Sequence, residues 1–340
     1  MKSGGLLSSR PLPAESFRVQ VSRGSRSGAG ASTTDQTDTL QQGRDVVATP
    51  SSSSSGSSIN QTPNSAYKLT PGQAQPLGLE VAATATTTTT TSRSRRGRGG
   101  FVYVPRSYDP RRPSPLAVML HGAGGRADPG DPYLTFGGLQ ALEASACLLL
   151  VPESTGATWD LIRGGGGDFG PDVAHIDAAL GRVFGSCAVD AGRVALAGFS
   201  DGASYALSLG LANPQLFTHL LAFSPGFMRP PPAAEAAMQR AGSSMHSGSG
   251  TGSSMHSGSG SSSGSSSVWP RVFVSHGTGD RVLPVGCSRG IVTRLRAARI
   301  DVSYHEFEGG HVIPGHVAAE GLSFFLSGAG STGGGGGARE

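Results

Sequence analysis

The sequence predicts an α/β fold, with a mostly parallel central sheet and helices on both faces. Three observations lead there. From about residue 116 onward, short apolar runs alternate with stretches of helical periodicity. The longest apolar run, residues 146–151, has the length of a buried strand and is far shorter than the ~18 residues of a membrane span. Polar, glycine-flanked motifs follow several of the strand-like runs, where the loops at the carboxyl edge of such a sheet belong.

In chain order, Leu77, Leu79 and Val81 alternate as a strand should, and residues 101–104 form a second short strand ending at Pro105. Residues 116–120 are a strand running into His121-Gly122-Ala123-Gly124-Gly125. Leu139, Leu142 and Ala146 suit a helix, residues 148–151 a strand, and Val173, Ile176, Ala179, Leu180 and Val183 one face of a helix. Residues 194–197 are a strand, and residues 203–211 a helix that stops near Asn213-Pro214. Further strands fall at 220–223, 272–275 and 302–307. Ile291, Leu295 and Ala298 lie on a helix between the last two, and a final helix leads toward Phe324 and Phe325.

Much of the 340-residue chain lies outside this pattern. Gly accounts for 53 residues and aromatics for only 6%, and the Ser, Thr and Gly-Ser tracts bury too little apolar surface to offset the entropy of ordering them. The expected organisation is a low-complexity tail over 1–66, one globular domain over 67–328 and a Gly-rich tail over 329–340. Two insertions interrupt the domain. The first, at about 83–98, carries the threonines of 86–91 and an Arg/Gly stretch; the second, at about 233–267, repeats GSSMHSGSG from Gly242 and from Gly252. His246 and His256 recur in that repeat without a nearby Cys or carboxylate, which is not a metal-ligand set.

The net charge of +4 divides unevenly: residues 1–98 hold 11 Lys+Arg against 5 Asp+Glu, a net of +6, leaving 16 against 18, a net of −2. The globular part is therefore not basic and no nucleic-acid partner is expected; an RNA-associated role would rest on Arg93, Arg95, Arg96 and Arg98 alone. The three cysteines, Cys147, Cys187 and Cys287, form neither a disulfide framework nor a metal spacing and fit a reducing compartment. The basic, serine-rich first 30 residues weakly resemble an organellar transit peptide, so cytoplasmic and organellar locations both stay open, as does the oligomeric state.

The chemistry centres on Gly198-Phe199-Ser200-Asp201-Gly202, a G-x-S-x-G motif between a strand and a helix. Gly260-Ser261-Ser262-Ser263-Gly264 matches the same pattern but sits in repeat sequence, so context selects Ser200. A serine hydroxyl needs a base to take its proton and an acid to orient that base. Asp280, in His276-Gly277-Thr278-Gly279-Asp280 after the strand 272–275, is the expected acid. His311, in Gly309-Gly310-His311 after the strand 302–307, is the expected base. Asp301 and His316 are their rivals, and Asp201 is expected to support rather than join the triad. The oxyanion that forms on attack needs N–H donors, expected from the amides of Asp201 and of Ala123, with Gly122 second. Trp159 and Phe227 are candidates for the acyl pocket, with core packing an equal account of both. The glycines of 164–167 lack the following Lys-Ser/Thr of a phosphate cradle, which removes a nucleotide site.

HGAGG, Leu150-Val151-Pro152-Glu153-Ser154, Phe169-Gly170-Pro171-Asp172-Val173, GFSDG, HGTGDRVLPV and GGH occur in the order found in the phospholipase/carboxylesterase group of α/β hydrolases. That group includes acyl-protein thioesterase-like and polyhydroxyalkanoate depolymerase-like enzymes. The resemblance runs from about Leu77 to Leu326 outside the insertions. It implies an α/β-hydrolase fold and a cofactor-free, metal-free hydrolase acting on a small-molecule ester or acyl substrate through Ser200, Asp280 and His311. Thioesterases of the group usually carry Gln after the nucleophile; Asp201 at that position leans toward a general carboxylesterase. The rival expectation is a catalytically inactive hydrolase fold serving as a binding module.

Overall fold

A computed structural model describes residues 69–79, 99–164, 169–243 and 269–327. The expected tails, most of both insertions, Val81, the arginines of 93–98 and the glycines of 165–167 lie outside these residues.

Eight strands form one sheet: β1 (Ala74–Pro76), β2 (Gly100–Tyr103), β3 (Ser114–Leu120), β4 (Leu148–Pro152), β5 (Val189–Phe199), β6 (His219–Phe223), β7 (Arg271–Gly277) and β8 (Val302–Phe307). Their spatial order is β1-β2-β4-β3-β5-β6-β7-β8. β2 runs antiparallel to both β1 and β4, and every pair from β4 to β8 is parallel. Parallel strands need long crossovers, and here helices provide them: α1 (Leu139–Ser145), α2 (Asp160–Arg163), α3 (Pro171–Ser186), α4 (Asp201–Ala212), α5 (Pro232–Ser243) and α6 (Gly286–Ala297), with α7 (Gly315–Leu326) following the last strand.

The period-two alternation of strand side chains divides the core in two. Leu116, Val118 and Leu120 of β3, Val194 and Leu196 of β5, and Val272 and Val274 of β7 point to one face, under α3, α4 and α6. Ala117, Met119, Ala195, Ala197 and Phe273 point to the other, under α1 and α7. Because both faces are covered, the central strands are apolar throughout: all five residues of β4 and all seven of β3 are buried. In α3, Pro171 occupies the first turn, and Val173, Ile176, Ala179, Leu180 and Val183 form the buried stripe expected from their spacing.

Two boundaries differ from the sequence expectation. The first strand is Ala74–Pro76, not the Leu77-Leu79-Val81 alternation. Gly78, at φ 62°, breaks the extended run, while Leu77 keeps its place by donating its N–H to Gly100 O at 2.9 Å and burying its side chain completely. The second insertion was expected from residue 233, yet α5 spans Pro232–Ser243. Ala, Glu, Met, Gln and Arg dominate that helix, all strong helix formers, and Met238 anchors it to the core. A short helix that the sequence periodicity does not predict, α2, begins at Asp160.

Candidate active site

Six loops leave the carboxyl edge of the parallel sheet: after β3, β4, β5, β6, β7 and β8. The one after β5 is a single residue. Ser200 turns from strand to α4 with φ 57° and ψ −118°, a conformation a non-glycine residue adopts only when its surroundings hold it. Its N–H donates to Phe223 O of the neighbouring strand at 2.9 Å, and its carbonyl accepts from Ser204 N–H at 3.1 Å. The flanking glycines have a steric cause. A Cβ on Gly198 would stand 2.3 Å from the backbone of Gly202, and one on Gly202 would stand 2.3 Å from Leu120 O and 2.5 Å from His121 O. A strained one-residue turn from the fifth strand into a helix, in a sheet of this order with its second strand antiparallel, decides the architecture. The domain has the α/β-hydrolase fold.

Within this hydrolase fold the loops after β7 and β8 bring Asp280 and His311 to Ser200. His311 Nε2 lies 2.8 Å from Ser200 Oγ, and His311 Nδ1 lies 2.6 Å from Asp280 Oδ2. A carboxylate only accepts, so Nδ1 carries the proton and Nε2 presents a lone pair to the serine hydroxyl. Asp280 is fixed on its other oxygen, where Oδ1 accepts the N–H groups of Val282 at 2.8 Å and Leu283 at 2.9 Å. Burial alone would push its carboxyl up. The hydrogen bonds from His311, Leu283 and Val282 outweigh that and hold it below the usual carboxylate range. The imidazole of His311 is also braced by Phe199, whose ring centroid lies 4.7 Å from its own.

The rivals stand elsewhere. Asp301 is exposed at the start of β8, the opposite edge of the sheet, and pairs with Arg271 at 2.7 Å. His316 is exposed in the first turn of α7. Asp201 turns its carboxylate away from the imidazole to accept the Thr158 hydroxyl at 2.6 Å.

The loop after β3 passes over Ser200: a Cβ on Gly122 would lie 3.4 Å from Ser200 Cβ. Its amides divide into two sets. Gly124 donates to Ala157 O at 2.7 Å and Gly125 to Gly122 O at 3.1 Å. The amides of Gly122 and Ala123 make no hydrogen bond to another described residue. The amide of Asp201, in the first turn of α4, has no intrahelical acceptor. The loop residue Gly122, next to Ser200, and its neighbour Ala123 thus have N–H groups not used within the described residues, as does Asp201 at the start of α4.

What holds this loop is not legible in the sequence. His121 is 1% exposed, and its ring bonds to Ser154 and Gly122 rather than to Ser200, Asp280 or His311. Its Nε2 accepts Ser154 N–H at 3.0 Å, which leaves the proton on Nδ1, directed at Gly122 O at 2.8 Å. Burial pushes its pKa down and favours this neutral form. Of the two accounts of Trp159, the structure shows core packing: it is fully buried, lies tilted between the rings of His121 and Tyr205, and donates its indole N–H to His121 O at 2.8 Å. An indole needs a partner for its N–H when buried, and here that partner is the strand end that leads into the 122–125 loop. Phe227 is half-buried, packs against the core and carries Arg229 over its face at 5.3 Å.

Behind Trp159 lies a buried carboxylate pair. Asp160 N–H donates to Asp172 Oδ2 and Asp172 N–H to Asp160 Oδ2, both at 2.7 Å, while Thr155 N–H donates to Asp172 Oδ1 at 2.6 Å. Tyr205 adds its hydroxyl to Asp160 at 3.1 Å. The pair ties the first turns of α2 and α3 to the 153–158 loop and fixes the backbone on which Thr158 and Trp159 stand.

No protein-family model matches the chain. A stretch of 128 residues is 29% identical to feruloyl esterase C of Emericella nidulans, covering 37% of this chain and 45% of that protein. A stretch of 126 residues is 29% identical to the probable feruloyl esterase C of Aspergillus niger, covering 36% and 44%. The matched stretch is thus less than half the length of either relative. Among solved structures, esterase PE8 covers 66% of this chain and 96% of its own at 21% identity and a TM-score of 0.45. No helix among the described residues is long and apolar enough to cross a membrane.

Proposed function

We propose that this chain is a serine hydrolase that cleaves carboxylic esters through an acyl-enzyme. The observation that carries the reading is the unbroken run of hydrogen bonds Ser200–His311–Asp280, ending on a carboxylate that two backbone amides hold in place. Ser200 Oγ attacks the ester carbonyl carbon as its proton passes to His311 Nε2. Charge collects on the carbonyl oxygen, facing the amides of Asp201 and Ala123, with Gly122 alongside. Asp280 stabilises the imidazolium without taking its proton. His311 then returns the proton to the departing alkoxide, leaving Ser200 acylated. Water, activated by the same imidazole, attacks the acyl carbon and restores the serine.

The names of the partial relatives, both feruloyl esterases, support an ester as the bond class. The domain assigned to this reaction is residues 67–328. The test is turnover of p-nitrophenyl acetate and butyrate by the full chain and by Ser200→Ala. The reading expects turnover in the wild type and a loss of roughly 10⁶-fold in the variant. A variant as active as the wild type overturns it.

A further inference from the structure

Asp280 Oδ2, which receives His311 Nδ1–H, has a second histidine beside it. His276, the penultimate residue of β7, is 0% exposed, and its Nε2 lies 3.3 Å from Asp280 Oδ2 and 2.8 Å from Leu283 O. Its Nδ1 lies 2.7 Å from the hydroxyl of Ser288, itself 0% exposed in the first turn of α6. The partners settle the proton. A carbonyl oxygen can only accept, so Nε2 carries hydrogen and donates it to Leu283 O, with the carboxylate of Asp280 3.3 Å away. Nδ1 then presents a lone pair, and the Ser288 hydroxyl, able to donate, fills it. The support of Asp280 therefore extends through Leu283, whose N–H donates to Asp280 Oδ1 and whose carbonyl accepts from His276, to Ser288 on a different helix.

The placement has a mechanical consequence. Leu283 N–H donates to Asp280 Oδ1 while Leu283 O accepts from His276, so one residue clamps the loop from both sides. Asp280 can then turn neither its Oδ2 away from His311 nor its backbone out of the site without breaking a buried hydrogen bond.

Resting on the hydrolase reading above, we propose that His276 is a positioning residue for the reaction. Held by Ser288 as its Nε2–H tautomer, it fixes Asp280 and the 280–283 turn so that Oδ2 meets His311 in the orientation that favours general-base catalysis. It makes no hydrogen bond to Ser200 and acts through Leu283 and Asp280.

The full chain is compared with His276→Phe, which keeps a ring but removes both polar atoms, and with His276→Gln, which restores an N–H donor at about the reach of Nε2. Two quantities are read: kcat and KM on p-nitrophenyl butyrate, and the far-downfield proton NMR resonance of the His311 Nδ1–H···Asp280 hydrogen bond. The Phe variant should lose roughly 10- to 100-fold in kcat with KM within about twofold, the scale on which groups orienting a first-contact residue act. Its downfield resonance should shift or broaden, and the Gln variant should recover much of both. If the Phe variant does not fold, Ser288→Ala, which frees the imidazole to change tautomer, should lower kcat several-fold with the same shift. A folded Phe variant, or in its place a folded Ser288→Ala, with unchanged kcat and resonance overturns the proposal. The resonance needs no turnover, so an inactive wild type would defeat the hydrolase reading while the NMR comparison still decided the role of His276.

Discussion

Trp159 donates its indole N–H to the carbonyl of His121 at 2.8 Å, joining the loop before α2 to the strand end that leads into the 122–125 loop. Neither group reaches solvent. Replacing Trp159 with Phe keeps most of the packing and leaves that carbonyl buried without its partner. The expected cost is about 1–3 kcal/mol of stability. Because the same carbonyl precedes Gly122 and Ala123, kcat on p-nitrophenyl butyrate should fall by at least tenfold with little change in KM. Thermal unfolding and steady-state kinetics on one preparation check both.

Glycines of this fold divide by what a Cβ would meet. At Gly202 it would collide with Leu120 O and His121 O. Gly202→Ala should therefore push the elbow away from the oxyanion loop, costing about 1–3 kcal/mol and most of the turnover. Gly181 is exposed in the middle of α3, and a Cβ there would meet nothing within 4 Å. Gly181→Ala should raise stability by roughly 0.5–1 kcal/mol with kcat unchanged, because alanine loses less backbone entropy in a helix. Denaturant titrations of the two variants should move in opposite directions.

Asp280→Asn offers His311 an amide in place of a carboxylate. It can accept the Nδ1–H only if the amide is oriented correctly, and it cannot stabilise the imidazolium by charge. Removing the charge from a triad acid lowers kcat by roughly 10⁴-fold in serine proteases, and a fall of that order is expected here. Retention of more than a tenth of wild-type kcat would show that Asp280 is not the orienting acid.

His219, at the start of β6, is 6% exposed, with its ring edge-on to Phe324 and Phe325. Its Nε2 has no partner among the described residues. Burial, with the positive charge of Arg271 adding to it, lowers its pKa to about 4. The unfolded chain binds the proton near pH 6.5, the folded chain only near 4. The contribution of this group is therefore complete above about pH 6.5 and is lost as pH falls toward 4. Wild type and His219→Gln should accordingly differ in the slope of melting temperature between pH 7 and 4.5, the wild type falling faster. Parallel slopes would remove the histidine from the account of acid sensitivity.

Of the three cysteines, Cys147 and Cys187 are buried and free, and burial raises their pKa values to about 12 and about 11. Cys287 is half-buried at the start of α6. Since the thiolate is the reactive species, a mild aromatic disulfide reagent at neutral pH should modify one thiol per native chain, at Cys287, and three after denaturation.

The sequence carried the proposed nucleophile, base and acid because each follows its own strand: Ser200 follows β5, Asp280 follows β7 and His311 follows β8. Strand periodicity and chain order alone put these on one edge of a parallel sheet. The groups supporting them were not legible, because their partners are set by tertiary packing. His121 meets Ser154 across 33 positions, and Trp159 meets His121 across 38. An indole in a core looks the same in sequence whether it lines a pocket or props a carbonyl. His276 stands in the same motif as Asp280, and its place at the strand end, just before Gly277, is the signal. Only the arrival of Ser288 and Leu283 on it shows what the ring does. The early part of α5 was hidden for a different reason: low-complexity sequence follows it directly, although its own residues favour a helix.

The most direct test of the central claim is covalent labelling of the full chain by a fluorophosphonate, read by mass spectrometry of the Ser200 peptide beside the Ser200→Ala variant. A serine activated by His311 and Asp280 should gain one phosphonyl adduct at Ser200, and the variant should gain none. A wild type with native circular dichroism that stays unlabelled, or that is labelled equally in the variant, would contradict the account.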